Sequence, residues 1–240
     1  MRYNITQRFN ILLIITTIFS TSAFVCAAQD AVNNSLHVIN SVESYIKTTK
    51  EDSNMRMIDV QRSIPNIILD LRYETTDNFM HRIMYPELPK NTFLRLPAIR
   101  ALAQVQKELN KKGLGLKIFD AYRPYFVTEK FWELVHDDRY VADPKKGSGH
   151  NRGIAVDLTI IDLKTGKEIK MPTGFDNFTD SAHHDFVDLP EDVLLNRKLL
   201  KETMEKFGFR EFATEWWHYS LPDPEKYEVL NLSFEQFEKQ

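Results

Sequence analysis

Apolar residues recur at Ile99, Leu102, Val105 and Leu109, the three-and-four spacing of one helix face, after Pro97 and before Gly113. This spacing predicts a helix facing a core. The pattern then changes to alternation, with Leu114, Leu116 and Ile118 apolar, which predicts a strand over 114–119 ending in Asp120-Ala121-Tyr122-Arg123-Pro124. A second helix is expected over 126–136. The β-branched run from Ile154 to Ile161 predicts another strand, and Thr165-Gly166 marks a turn into 167–171, a hairpin signal. A third helix follows Pro190 and stops at Gly208, and the aromatic stretch 209–219 predicts the last strand or strands. Helices and antiparallel strands in blocks imply an α+β fold, with a central antiparallel sheet and helices packed against it.

The N-terminal pattern differs in kind. Arg2 and Arg8 precede an apolar run from Ile11 to Phe19, and the small residues Ala27 and Ala28 follow, the order of a secretory signal peptide over 1–28. The run is interrupted by Thr16, Thr17, Ser20, Thr21 and Ser22, which argues against a retained membrane helix. Export to the periplasm or medium is expected, with no stable membrane insertion after cleavage. Cys26 leaves lipid anchoring as a second route, disfavoured by the bulky Val25 before it. Residues 29–57 are polar and predict a spacer with at most one short helix; 58–240 shows no linker or fixed-period repeat and reads as one catalytic domain.

Composition narrows the function classes. The chain is 42% hydrophobic and 27% charged, within the range of globular proteins, and its net charge is −3. Removal of Arg2 and Arg8 with the leader makes the charge still more negative, which argues against a nucleic-acid surface. The single cysteine falls in the leader, so the mature domain has no disulfide and no closed thiolate metal site.

The candidate chemistry lies in two segments. Ser148-Gly149-His150-Asn151-Arg152-Gly153-Ile154-Ala155-Val156-Asp157 sets a histidine in a loop and a carboxylate in the following strand. Downstream, Glu215-Trp216-Trp217-His218 offers a second carboxylate and histidine three residues apart. A regular strand would point Glu215 and His218 to opposite faces, so a bulge, turn or strand end is expected between them. Two imidazoles and one carboxylate, His150, Asp157 and His218, leave a fourth tetrahedral position for water, the arrangement of a catalytic zinc site with one Zn2+ per chain. Glu215 is then the candidate general base, and Arg123, at a strand end, the cation for a developing oxyanion.

These residues resemble the VanX-type D-alanyl-D-alanine dipeptidases, in the wider group of D-Ala-D-Ala metallopeptidases that also includes the hedgehog signalling domain. The resemblance rests on four ordered blocks: Asp70-Leu71-Arg72-Tyr73 with Thr76-Asp77-Asn78-Phe79, then Asp120 to Pro124, Ser148 to Asp157, and Glu215 to Tyr219. It implies a small D,D-dipeptide as partner and hydrolysis of D-Ala-D-Ala to two D-alanines in cell-wall peptide turnover. It also implies the same ligands, base and transition-state arginine, and places Tyr73, Ser148 and Asp176 near the ends of the dipeptide, with Asp176 suited to its ammonium group. The alternatives are a D,D-carboxypeptidase or peptidoglycan endopeptidase on the same zinc site, and a non-catalytic zinc-binding module.

Several conspicuous residues carry bland expectations. His183-His184 predicts a pocket-rim or surface loop rather than a second metal pair. Trp216 and Trp217 predict a packing wall behind Glu215 and His218. Asp120 and Tyr122 are expected to buttress Arg123, and Lys145 and Lys146 to belong to a solvated loop.

Overall fold

The computed structural model describes residues 36–239, so the expected leader over 1–28 and Cys26 lie outside the described residues. The centre of the domain is a five-stranded sheet in the order β3-β5-β6-β8-β7. Its strands are β3 (Ile68–Leu69), β5 (Leu114–Asp120), β6 (Ala155–Asp162), β7 (Arg210–Phe212) and β8 (Glu215–Ser220). Every neighbouring pair is antiparallel except β3 with β5. The expected antiparallel sheet is therefore present, with one parallel edge strand.

Two long helices, α3 (Leu96–Asn110) and α5 (Glu191–Lys206), cover one face. Leu102, Val105 and Leu109 of α3 and Leu200 and Met204 of α5 share a core with Leu116 and Ile118 of β5 and with Val156, Leu158 and Ile160 of β6. Pro97 sits in the first turn of α3, where its missing N–H leaves no helical acceptor unmet. Alternation along β6 sends Val156 and Leu158 to the helices and Asp157 to the opposite face.

A second, aromatic-rich cluster contains Tyr73, Tyr85, Tyr122, Phe131 of α4 (Tyr125–Val135), and Phe234 and Phe237 of α6 (Phe234–Glu238). Rings here meet edge to face, as for Tyr73 and Phe131 at 4.9 Å between centroids. The cluster carries the Arg123 loop between β5 and α4.

Two sequence expectations are corrected. Residues 36–57, expected as part of a polar spacer, belong to the packed unit, which starts at Leu36. They form β1 (Val38–Ile39), α1 (Val42–Glu51) and the start of β2 (Met57–Asp59). β1 runs parallel to β9 (Val229–Leu230), and β2 pairs antiparallel with β4 (Phe93–Arg95). Ile39, Tyr45 and Met57 are buried although their neighbours are polar. The remaining short helix, α2 (Val60–Ser63), follows β2 directly.

The expected hairpin after β6 shrinks to one isolated bridge, Ile161 with Glu168. Pro172 lies just beyond and has no N–H to extend a ladder.

Candidate metal centre

Strand register places the site. Asp120 pairs with Asp157 and Asp157 with His218, so three side chains from β5, β6 and β8 form one row across the sheet. Asp157 Oδ1 and His218 Nδ1 lie 2.8 Å apart. His150 arrives from the turn before β6, where the N–H groups of Ile154 and Ala155 both donate to the Gly149 carbonyl. Gly153 completes this turn at φ +69°, and a Cβ there would stand 2.6 Å from Met57 Sδ, so both conformation and space require glycine.

The tautomer of His150 follows from its partners. Its Nδ1 lies 2.7 Å from the Ala121 carbonyl, to which it must donate, leaving the Nε2 lone pair for the site. Nε2 is 3.3 Å from His218 Nδ1 and 3.5 Å from Asp157 Oδ2. Ligand atoms of the three residues all lie within 4.8 Å of one another. A tetrahedral ion with bonds of about 2.0–2.1 Å separates its donors by about 3.3–3.4 Å, so the donor set and the 3.3 Å between the imidazole nitrogens fit a zinc site, with Asp157 drawn closer to His218. Burial pushes the Asp157 carboxyl up, but His150 and His218 together outweigh it and hold the group well below the usual carboxylate range.

The geometric conflict between Glu215 and His218 is resolved by a bulge. Glu211 pairs with Tyr219, but the next residue, Phe212, pairs with Glu215, so β8 carries extra residues over 216–218. This turns Glu215 back to the His218 side, with Oε2 at 3.9 Å from Nδ1. Trp216 is buried and donates from Nε1 to Thr173 Oγ1 at 2.9 Å, while Trp217 lines the cavity. Burial raises Glu215 to about 7; His218 and Arg123 oppose the shift, and Asp157 and Asp176 add to it. A carboxylate near that value is suited to moving a proton at neutral pH.

Arg123 is held from both sides. Its Nε and Nη2 donate to Asp120 Oδ2 at 3.1 and 2.8 Å, and its Cζ lies 4.9 Å from the Phe131 ring centre and 5.1 Å from that of Tyr73. Burial disfavours its charge, but Asp120 and its neighbours outweigh burial and keep the guanidinium protonated. Asp120 is thus the expected buttress. Tyr122 works at longer range, bonding through its hydroxyl to Leu230 and Leu232.

All eight candidate residues, Tyr73, Arg123, Ser148, His150, Asp157, Asp176, Glu215 and His218, line a single cavity of about 410 Å³. Tyr73 donates its hydroxyl to Asp176 Oδ1 at 3.1 Å, and the Phe79 N–H donates to Oδ2 at 3.5 Å. Burial first, then the charge of Asp157, push Asp176 up to about 8 against the pull of Tyr73, Phe79 and Arg123. Ser148 Oγ accepts the His150 N–H at 3.2 Å. Asp77 instead points to Arg72 on the surface and stays outside the cavity, although Phe79 lines it.

Asn151 is a supporting residue whose role the sequence does not reveal. It is fully buried; Nδ2 donates to the Arg123 carbonyl and to Thr128 Oγ1, both at 2.8 Å, and Oδ1 accepts the Ser148 N–H at 2.9 Å. One amide thereby ties the metal loop to the arginine loop and to α4. A buried-compatible amide inside a loop of functional residues is the only sequence signal for it. His184 departs from the expected pocket-rim or surface loop: its side chain is only 6% exposed and lies 3.3 Å from Glu211, which already pairs with Lys201 at 2.6 Å.

An α+β domain with a histidine–aspartate–histidine centre, an adjacent raised carboxylate and a buried arginine defines a hydrolase-type metal site. Comparison with known sequences then places the chain: the D-ala-D-ala dipeptidase family of peptidases matches residues 53–240, a span containing the whole site, and the chain belongs to that family. Among its relatives, the D-alanyl-D-alanine dipeptidase of Escherichia coli K12 is 34% identical over 181 residues, covering 75% of this chain and 92% of the relative. The Streptomyces coelicolor enzyme of the same name is 32% identical over 192 residues, covering 70% and 94%. Family membership thus spans nearly the full length of these relatives.

Proposed function

We propose that the chain is a zinc-dependent dipeptidase that hydrolyses D-Ala-D-Ala to two D-alanines in cell-wall peptide turnover. The observation carrying this is the convergence, in one small cavity, of a three-donor metal triangle, a carboxylate raised to about 7 and a second carboxylate for an ammonium group. A volume of about 410 Å³ is at the small end of ligand cavities, which suits a dipeptide.

His150, Asp157 and His218 hold the ion. When bound, it supplies Lewis-acid polarisation of a peptide carbonyl and acidification of water. Glu215 takes the proton from the attacking water and returns it to the departing amine nitrogen. Arg123 stabilises the oxyanion, a contribution of about 2.7–4 kcal/mol for a well-placed donor. Tyr73 orients Asp176, which receives the dipeptide ammonium, and Ser148 sits towards the other end of the substrate.

Export of the protein rests on the order of Arg2, Arg8, the apolar run and Ala27-Ala28. No helix among the described residues is long and apolar enough to cross a membrane. Purified protein assayed on D-Ala-D-Ala, with and without chelator, tests the activity. D-Alanine release from a wall pentapeptide alone, and none from the dipeptide, overturns the dipeptidase assignment in favour of a carboxypeptidase.

A further inference from the structure

If the substrate is a free dipeptide, as proposed above, the cavity must meet two opposite charges. Asp176 has no ion pair among the described residues, which leaves its carboxylate available to the ammonium end. The carboxylate end needs a cation that is equally uncommitted. Four permanent cations line the cavity: Arg123, Arg139, Lys146 and Arg152.

Three of them are occupied. Arg123 is held by Asp120 and, in the mechanism above, serves the oxyanion. Arg139 is paired with Asp137 at 2.6 Å. Arg152 donates from Nη1 to the Tyr227 carbonyl at 2.5 Å and from Nη2 to the Lys146 carbonyl at 3.0 Å. Among the described residues, Lys146 alone of the four makes no side-chain hydrogen bond or ion pair, and Asp138 on the same wall does not pair with it.

The backbone at Lys146 is nevertheless fixed. Its N–H donates to the Asp143 carbonyl at 3.0 Å, and its own carbonyl accepts from Arg152. The next residue, Gly147, has φ +69°, and a Cβ there would lie 2.8 Å from Val229 Cγ2, so the loop packs closely against β9. Ser148 follows at the cavity wall. A held backbone carrying an exposed, flexible side chain without a partner at a cavity edge is suited to capturing a carboxylate whose position varies slightly between substrates.

Lys145 and Lys146 are both exposed, as expected of a solvated loop; we propose that Lys146, on the cavity wall, receives the C-terminal carboxylate of the dipeptide and so sets the preference for a free C-terminus. Lys146 is exposed, which limits the effect of the charge pair to about two- to fivefold.

The test compares D-Ala-D-Ala with its C-terminal amide, D-alanyl-D-alaninamide. Lys146→Met keeps an apolar side chain of similar length and deletes the charge; the preference for acid over amide in kcat/KM falls about two- to fivefold, through KM rather than kcat, and Lys146→Arg restores most of it. An unchanged preference, or equal losses on both substrates, overturns the assignment. Calorimetric titration of the same two ligands into zinc-loaded Glu215→Gln protein, with and without Lys146→Met, repeats the comparison without turnover. If the wild type hydrolyses neither compound, the dipeptidase function fails, and Lys146 is then judged by the calorimetric preference alone; its absence there also overturns the proposal.

Discussion

Replacing Asp176 by Asn should stabilise the metal-free protein while crippling it as an enzyme. Asp176 is a half-buried carboxylate whose folded-state pKa is raised to about 8, chiefly by burial and next by Asp157. A raised carboxyl contributes stability that is fully present below its unfolded value near 3.8 and is lost as pH rises through about 8. At pH 7 the proton imbalance corresponds to an upper limit of about 4 kcal/mol.

Two structural features modify that figure. The Asn amide keeps the bond from Tyr73 but loses acceptance of the Phe79 N–H, a 3.5 Å contact, which costs about 1 kcal/mol. Backbone strain does not change, because Asp176 has φ +59° and Asn tolerates the left-handed region as readily as Asp. Hydration through the cavity mouth takes a further share, leaving a net gain of roughly 2 kcal/mol, or about 4–8 °C in Tm for a domain of this size.

The assay is thermal unfolding of chelator-treated wild type and Asp176→Asn at pH 5, 7 and 8.5. The variant's advantage should be smallest at pH 5 and largest at pH 8.5. In the zinc-loaded enzyme the same variant should raise KM for D-Ala-D-Ala by tenfold or more, since the ammonium loses its counter-charge. A Tm difference that is absent, or that shrinks as pH rises, refutes the electrostatic account of Asp176.

Glu215→Gln should lower kcat by about 10²–10⁴-fold while zinc content, read by elemental analysis, stays at the wild-type level, because the three ligands are untouched. The wild-type rate should fall on the acid side as Glu215 gains its proton, and that limb should vanish from the residual rate of the variant. Asn151→Ala removes three buried hydrogen bonds and should destabilise the fold by about 3 kcal/mol, seen as a lower urea midpoint at unchanged slope. Phe178 stands at the cavity edge with its ring centre 5.2 Å from Phe79 and 5.1 Å from Tyr140. Phe178→Ala should raise pentapeptide turnover relative to dipeptide turnover; an unaltered ratio removes these rings from size selection.

Much of this molecule is legible along the chain. The helix over Leu96–Asn110 declares itself because its apolar residues recur with helical period and are buried together, and β5 and β6 because β-branched and apolar residues cluster between turn signals. His150, Asp157, Glu215 and His218 stand out because metal chemistry admits few donor types and the residues occur in ordered blocks. What local pattern cannot carry is pairing between distant short segments. β1 has two residues, too few for any period, and becomes a strand only against β9. The bulge that turns Glu215 towards His218 is set by register with β7. The availability of Lys146 is likewise a tertiary property: a lysine in sequence is only a charge, and whether it is free for a ligand depends on which partners the fold has already given to Arg123, Arg139 and Arg152.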